Sequence, residues 1–471
     1  MTIATRTSTV TPSTPLPGDR YASLRARLAG DLITAGSADF DTARAVVNLT
    51  VNRHPLAIVR AADAEDVAAA VNYARTHALP LAVRSGGHSI ATYSMVDDGL
   101  VVDLSQMKEI SIDPATRIAR VQAGARSGDL AGPANEHGLA LTTGDTPSVG
   151  MGGLVTGGGI GYMVRKYGLA IDSLLAVQIV TASGDILTAD ADQHADLFWA
   201  VRGGGGNFGI ITEFTFRLAP VGQIYGGSLI LPASREVIRG FLDYAASAPE
   251  ELSLIANLSF APPAPFVPQE RVGELALEIL TCWCGDPAEG EAAVAPLRAL
   301  ATPIADAVAP IPYPAIYKFT EHLGAPHGVS IRSMFADDLS DATLDAALES
   351  VKNSPSPFSL VQFRGLGGAF ARVPHDATAF AHRDRRYFVA IIAVWLDPAL
   401  DATPMQEWTM SLWRQIRHEG SGVYVNFLER EGADRVHDAY PAATYARLAA
   451  VKQQYDPNNL FRLNQNITPQ Q

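Results

Sequence analysis

Three glycine-rich segments, Ser85-Gly86-Gly87-His88, Gly150 to Gly161 and Gly203 to Gly209, all fall in the first half of a 471-residue chain. Glycine lets the backbone take positive φ and bring its N–H groups close to a ligand, which is how a pyrophosphate is cradled. One such segment alone reads equally well as a tight turn. Three in one region predict a lobe built to hold a large anionic small molecule.

The order of elements around these segments predicts an α+β lobe. A strand at Ala57–Arg60 leads to a helix with Asp63 as N-cap and Asp66 in the capping-box position, with apolar residues recurring at Val67, Ala70, Val71 and Ala74. His77 and Pro80 end it, and a buried strand at Leu81–Val83 delivers the chain into Arg84-Ser85-Gly86-Gly87-His88-Ser89. Further strands are expected at Leu100–Leu104, Ala119–Ala123 and Ile210–Leu218, helices near Asp129–His137 and Asp196–Val201, and a hairpin from Ala176 to Ala189 turning at Ser183-Gly184-Asp185. From about Gln223 glycine thins out, and proline-broken stretches such as Ala261–Pro268 and Ala309–Pro314 separate longer strands and helices. The end of the chain reads as a helix at Met405–Arg417, a strand at Tyr424–Leu428 and a helix at Tyr445–Tyr455 stopped by Asp456-Pro457. This gives a tail over residues 1–18, read as flexible, then units at 19–222, 223–404 and 405–471.

Composition narrows the partners. A net charge of −13 argues against general affinity for nucleic acid or anionic lipid, and no apolar run reaches the roughly 20 residues of a membrane span. A small-molecule substrate is expected. The two cysteines, Cys282 and Cys284, flank Trp283 on a strand-like stretch; that spacing is read as turning the side chains apart, against a mutual disulfide. With no second Cys or His pair at ligand spacing, no metal is expected. The unpaired cysteines fit a reducing cytoplasm best, and no export signal is visible in the sequence.

Gly157-Gly158-Gly159-Ile160-Gly161 superficially matches a nicotinamide-dinucleotide fingerprint. A true fingerprint sits at the first strand-to-helix turn of a βαβ unit. This run lies deep in the lobe with no clear strand before it, so that reading is set aside.

Taken together, Arg84-Ser85-Gly86-Gly87-His88-Ser89, Val149-Gly150-Met151-Gly152-Gly153 with Gly157 to Gly161, Asn207-Phe208-Gly209-Ile210-Ile211-Thr212, Tyr424-Val425-Asn426-Phe427 and Asp456-Pro457-Asn458-Asn459-Leu460-Phe461 resemble the vanillyl-alcohol-oxidase and berberine-bridge-enzyme-like flavoproteins. The resemblance implies a two-lobe FAD-binding domain of the p-cresol methylhydroxylase type, plus a substrate domain with an antiparallel sheet covered by helices. It also implies FAD bonded to His88. The residues expected around it are Arg84, Ser85, Gly86, Gly87, Ser89, Thr146, Ser148, Val149, Gly150, Gly153, Gly158, Gly161, Gly209, Ile210 and Asn426. Gly86 and Gly87 are expected to clear space for the ring. Many relatives add a second bond from a cysteine four residues before the first glycine of the Val-Gly-x-Gly-Gly loop; here that residue is Thr146, which implies a single link as in certain bacterial members.

By the same resemblance the enzyme oxidises a small alcohol, amine or natural-product intermediate and passes electrons to O2, with Val149 leaving oxygen a path. A sugar oxidase or dehydrogenase of the same fold, or a flavin-binding protein with impaired catalysis, are the competing readings. The family's Tyr-x-Asn-Tyr has Phe427 in its last position, and phenylalanine exchanges no proton. Tyr424, Tyr162, Glu278 and Gln362 are the catalytic candidates, with His322 as a further polar side chain. On a strand Tyr424 would point with Asn426 and away from Phe427.

Overall fold

The structure is a computed structural model and describes residues 20–470. The tail expected over residues 1–18 lies outside them.

The first lobe begins with β1 (Asp31–Thr34), β2 (Ala57–Arg60), α1 (Ala64–Thr76), β3 (Leu81–Arg84) and β4 (Leu100–Asp103). The strands form a sheet in the order β1, β2, β4, β3, with both neighbours of β4 parallel to it. Parallel strands need a crossover connection, which α1 supplies between β2 and β3. Its apolar face (Val67, Ala70, Val71, Ala74) is fully buried. Asp63 caps the helix as expected, accepting the Asp66 N–H at 2.9 Å. The Asp66 carboxylate does not close a capping box. It accepts N–H groups from Ala29, Gly30 and Ala62, each at 2.8 Å, because three orphan donors converge on it there.

A second, antiparallel sheet follows, from β5 (Ile110–Asp113), β6 (Ile118–Gln122), β7 (Leu174–Val180), β8 (Ile186–Asp190) and β9 (Ile210–Arg217), in the order β5, β6, β9, β7, β8. Helices α2 (Ser127–Glu136), α3 (Met151–Thr156) and α4 (Ala195–Val201) lie between these strands in sequence. The β7–β8 hairpin turns where Ser183-Gly184-Asp185 predicts.

The remaining chain builds one large antiparallel sheet from β10 (Gln223–Pro232), β11 (Leu252–Phe260), β12 (Leu275–Trp283), β13 (Ala309–Pro312), β14 (Gly328–Ala336), β15 (Leu360–Gly365) and β16 (Tyr387–Trp395), with short edge pieces at Ala305–Asp306 and Gly420–Ser421. The central order is β10, β12, β11, β15, β16, β14, and β13 pairs with β10. Ala309–Pro314, read from its prolines as a break, thus contains an edge strand, a position where a missing N–H costs no ladder bond. One face is covered by α5 (Arg235–Ser247), α6 (Pro287–Arg298), α7 (Asp341–Lys352) and α8 (Thr403–Ile416), which bury Phe241, Val294, Leu348 and Leu412 against Leu254, Ile279, Phe363 and Val389. Helix α8 therefore belongs with this sheet. The return to the first lobe begins at Val423 rather than at 405, since Val423, Tyr424 and Leu428 join the core of β2, β4 and β9.

Two further expectations change. Tyr424–Leu428 is not a strand: Phe427 N–H donates to Tyr424 O at 2.8 Å, closing a 3₁₀ turn over Val425–Phe427. Long-range bonds to the glycine run hold this segment and override its β-forming composition. Cys282 and Cys284 are not turned apart either. Residues two apart on a strand share a face, and the buried sulfurs lie 3.6 Å from each other as free thiols.

Candidate functional site

Strand β3 ends at Arg84, whose guanidinium grips the buried Asp103 (2.6 and 3.3 Å) and the Ala45 carbonyl (3.0 Å). Arg84 thus anchors the base of the Ser85–Ser89 loop. Ser85 Oγ donates to Ala123 O at 2.6 Å and accepts the Gly152 N–H at 3.3 Å, joining the loop to α3. Gly86 lies against the backbone of Gly150, and a Cβ on Gly86 would sit 2.3 Å from the Gly150 nitrogen. The space at Gly86 is therefore filled by the second glycine loop, a different role from the ring clearance expected. Gly87 supplies a positive φ of 73°, and Ser89 Oγ caps the following turn by accepting the Tyr93 N–H at 3.1 Å.

At the head of this loop His88 Nε2 lies 2.9 Å from Ser148 Oγ. Burial, with the neighbouring charges of His327 and Arg126, lowers the His88 pKa from 6.5 to about 4, against a smaller opposing pull from Asp145. At pH 7 the ring is neutral and keeps a lone pair on one of its two nitrogens, the state a nucleophilic nitrogen needs. Around it, Thr146 is buried and Val149 is half-buried with its carbonyl accepting the Ser127 N–H at 3.0 Å. A Cβ on Gly153 would meet nothing within 4 Å, so α3 presents an open edge there.

The remaining glycines make protein contacts. A Cβ on Gly161 would lie 1.5 Å from Thr143 O and one on Gly209 2.6 Å from Val180 O, so both permit backbone crossings. Ile210 begins β9 and is buried. Gly158 (φ 132°) and Gly159 (φ 83°) turn the chain under Tyr424, whose hydroxyl oxygen lies 3.0 Å from both the Gly159 nitrogen and Asn426 Nδ2 and accepts from both. Asn426 also donates to Leu154 O at 3.1 Å, and Gly157 leaves room for its amide. Asn426 and Tyr424 therefore meet, as expected, but the turn also stacks Tyr424 on Phe427, with centroids 5.6 Å apart. Tyr424 is buried among Phe380, Phe388 and Phe427, and burial raises its pKa. It packs the glycine run against Asn426 and this aromatic cluster.

Tyr162 is buried beside Tyr317 with its hydroxyl 3.3 Å from Thr320 Oγ1; burial first, then Asp145, push its pKa well up. His322 is exposed on the turn Glu321–Gly324.

Glu278 and Gln362 come together. Alternation places Glu278 on the same face of β12 as Leu280 and Cys282, which pack against Tyr162 of the first lobe. The register aligns Glu278 with Asn257 and Asn257 with Gln362 in one row across β12, β11 and β15. Arg364 Nε donates to Gln362 Oε1 at 2.6 Å, Gln362 Nε2 to Asn257 Oδ1 at 2.9 Å, and Asn257 Nδ2 to Glu278 Oε2 at 3.3 Å; Ser228 Oγ donates to Glu278 Oε1 at 2.8 Å. Arg364 also bridges to Asp145 Oδ2 at 2.5 Å and lies over Phe427, 5.2 Å from its centroid. Asp145 is on the loop that carries Thr146, Ser148 and Val149, so this row is wired to the His88 side. Tyr317 and Thr320 hold the same loop through Thr143 Oγ1 (2.6 Å) and Asp145 O (2.5 Å).

Asp145, Asn257, Arg364 and Ser228 were not among the sequence candidates. For Asn257, Arg364 and Ser228 the available signal was a polar residue in a largely apolar strand; Asp145, on a loop, carried none. Among the described residues no helix is long and apolar enough to cross a membrane, and no group of His, Cys, Asp or Glu is spaced to hold a metal ion.

Residues 55–190 match the family model of the FAD binding domain, and residues 423–468 match that of berberine and berberine like proteins. The chain is 32% identical over 471 residues to (R)-6-hydroxynicotine oxidase of Paenarthrobacter nicotinovorans, covering 94% of this chain and 97% of that one. It is 30% identical over 455 residues to the FAD-linked oxidoreductase YgaK of Bacillus subtilis (strain 168), covering 94% and 98%. The crystal structure of 6-hydroxy-D-nicotine oxidase from Arthrobacter nicotinovorans superposes with a TM-score of 0.82 at 28% identity, covering 94% and 98%. Sharing both motif-bearing regions and nearly its whole length with these proteins, the chain belongs to the berberine-bridge-enzyme-like FAD-linked oxidoreductases and is an FAD-dependent oxidoreductase.

Proposed function

We propose that this enzyme is an oxidase of a small alcohol, amine or natural-product intermediate, with FAD held by a single covalent bond to His88 and O2 as electron acceptor. The observation that carries the reading is the Arg364–Asp145 bridge, which ties a polar, carboxylate-ended row of the second lobe to the loop beside His88. Residues 20–222 with the segment returning at 423 form the cofactor unit, and the large sheet with its four helices forms the substrate unit.

The site fits the cofactor. The neutral His88 ring suits alkylation, and the open edge at Gly153 suits close approach of a large ligand to backbone N–H groups. Ser85, Ser148, Gly150 and Asn426 complete its surroundings, with Arg84, Gly86, Gly87, Ser89, Gly158, Gly161, Gly209 and Ile210 shaping the loops behind them. Thr146 has no thiol for a second link. FAD, when bound, supplies the two-electron acceptor; the chain's own residues orient the substrate and manage its proton. In this reading Glu278 takes that proton, Gln362 acts through Asn257 to orient it, and Tyr424 and Tyr162 support the loops of the site.

The test is the acid-precipitated protein. A yellow pellet with added FAD mass is expected, and His88→Ala should lose both. Anaerobically reduced enzyme mixed with air should reoxidise rapidly and release peroxide; a reduced enzyme stable in air would exclude the oxidase.

A further inference from the structure

The row on the second sheet has a direction. A guanidinium can only donate, so Arg364 fixes Gln362 Oε1 toward itself, which sends Gln362 Nε2 to Asn257 Oδ1, which in turn sends Asn257 Nδ2 to Glu278. With Ser228 donating from the other side, these four hydrogen bonds all lead toward one carboxylate.

The charges are unbalanced at that end. Arg364 and Asp145 neutralise each other at 2.5 Å. Among the described residues no Lys, Arg or His nitrogen lies within ion-pair distance of Glu278, whose hydrogen-bond donors are neutral. Glu278 is half-buried on the face that looks toward the first lobe, flanked by buried Leu280 and Ala276. A half-buried carboxylate whose only partners are neutral donors offers a cationic ligand a charge-assisted hydrogen bond, which a neutral hydroxyl matches only in part.

We propose that Glu278 determines specificity for substrates bearing a protonated amine, with Asn257, Gln362 and Arg364 as positioning residues that hold the carboxylate for it. The inference rests on the oxidoreductase reading above and narrows its substrate class. In the proton step an N–H bond of the bound ammonium breaks, its electron pair stays on nitrogen, and the proton forms an O–H bond on Glu278. The neutral amine so produced has the lone pair that activates its adjacent C–H bond for oxidation.

The test is calorimetric titration of the holoenzyme at pH 7 with a series of arylalkylamines, benzylamine among them, and the alcohols of matched skeleton. At least one amine should bind tenfold or more tighter than its alcohol. Glu278→Gln should bring that pair to within about threefold, Glu278→Asp should keep the preference at weaker affinity, and Gln362→Met should weaken the amine more than the alcohol. Amines and alcohols of equal affinity, a preference that survives Glu278→Gln, or a series in which no amine binds would each overturn the assignment. None of these outcomes touches the flavin reading, which fails separately if the protein carries no FAD.

Discussion

Gly86 and Gly150 cross backbone on backbone: a Cβ on the first would lie 2.3 Å from the nitrogen of the second, and a Cβ on the second 2.1 Å from the nitrogen of the first. The two loops that flank His88 are locked by this crossing. Gly86→Ala or Gly150→Ala forces the backbones apart, at a cost of about 1–3 kcal/mol or more. Both variants should melt at lower temperature and retain less FAD, read as the ratio of flavin to protein absorbance. Gly153→Ala, whose new methyl meets no protein atom, should melt no lower than the parent and still lose FAD.

His88 makes the flavin-free protein acid-sensitive in a defined window. The unfolded ring takes a proton near pH 6.5 and the folded one only near pH 4. The unfolded chain therefore binds more protons between these values, and stability is fully present above pH 6.5 and lost as pH falls toward 4. The full effect is about 3 kcal/mol. Comparing urea midpoints of the parent and His88→Asn from pH 7 to pH 4 isolates it from the carboxylates; parallel curves would contradict the burial of the ring.

Lys452 and Asp456 form a fully buried ion pair at 2.7 Å. Lys452 also donates to Asn207 O and Phe461 O, and Asp456 accepts from the Leu460 and Phe461 N–H groups. Asp456→Ala strands the ammonium and should cost about 3–5 kcal/mol. Adding Lys452→Met should recover part of the loss in urea denaturation, because no uncompensated charge remains.

The Cys282 and Cys284 thiols are buried, and burial holds the Cys282 pKa well above the usual thiol value. Thiolate is the reactive form. A chromogenic disulfide reagent should find no reactive thiol in the native protein at pH 8 and two after unfolding in urea.

Val149 tests oxygen access. Its side chain is half-buried against the first-lobe core. Val149→Leu should slow air reoxidation of the reduced enzyme in stopped-flow without altering FAD content; an unchanged rate would remove Val149 from the oxygen path.

Elements whose signal is local were legible in the sequence. The Asp63 cap, the period of Val67 to Ala74 and the turn at Ser183 to Asp185 each act within a few residues, and β2, α1 and the β7–β8 hairpin formed as expected. What escaped depended on partners far along the chain. Tyr424 looks like strand until the Gly159 N–H, 265 residues away, bonds its hydroxyl. Asp66 looks like a capping-box residue until Ala29 and Gly30 reach it. Asp145 and Arg364, 219 residues apart, give no sign of each other in the sequence. Glu278 and Gln362 were visible as polar breaks in apolar strands, but Asn257 between them is defined only by register.

The return of Val423 to Ile467 into the first-lobe core imposes an order on biosynthesis. The ribosome must add the whole large sheet between β9 and Val423 before Asn426 can reach Gly157 or Lys452 can reach Asn207. Domains that are continuous in sequence can fold as they emerge; this lobe cannot finish that way. Cofactor capture is thereby deferred until the substrate lobe has been made, so a ribosome stalled short of Val423 leaves a chain with its His88 loop synthesised and no completed seat for FAD.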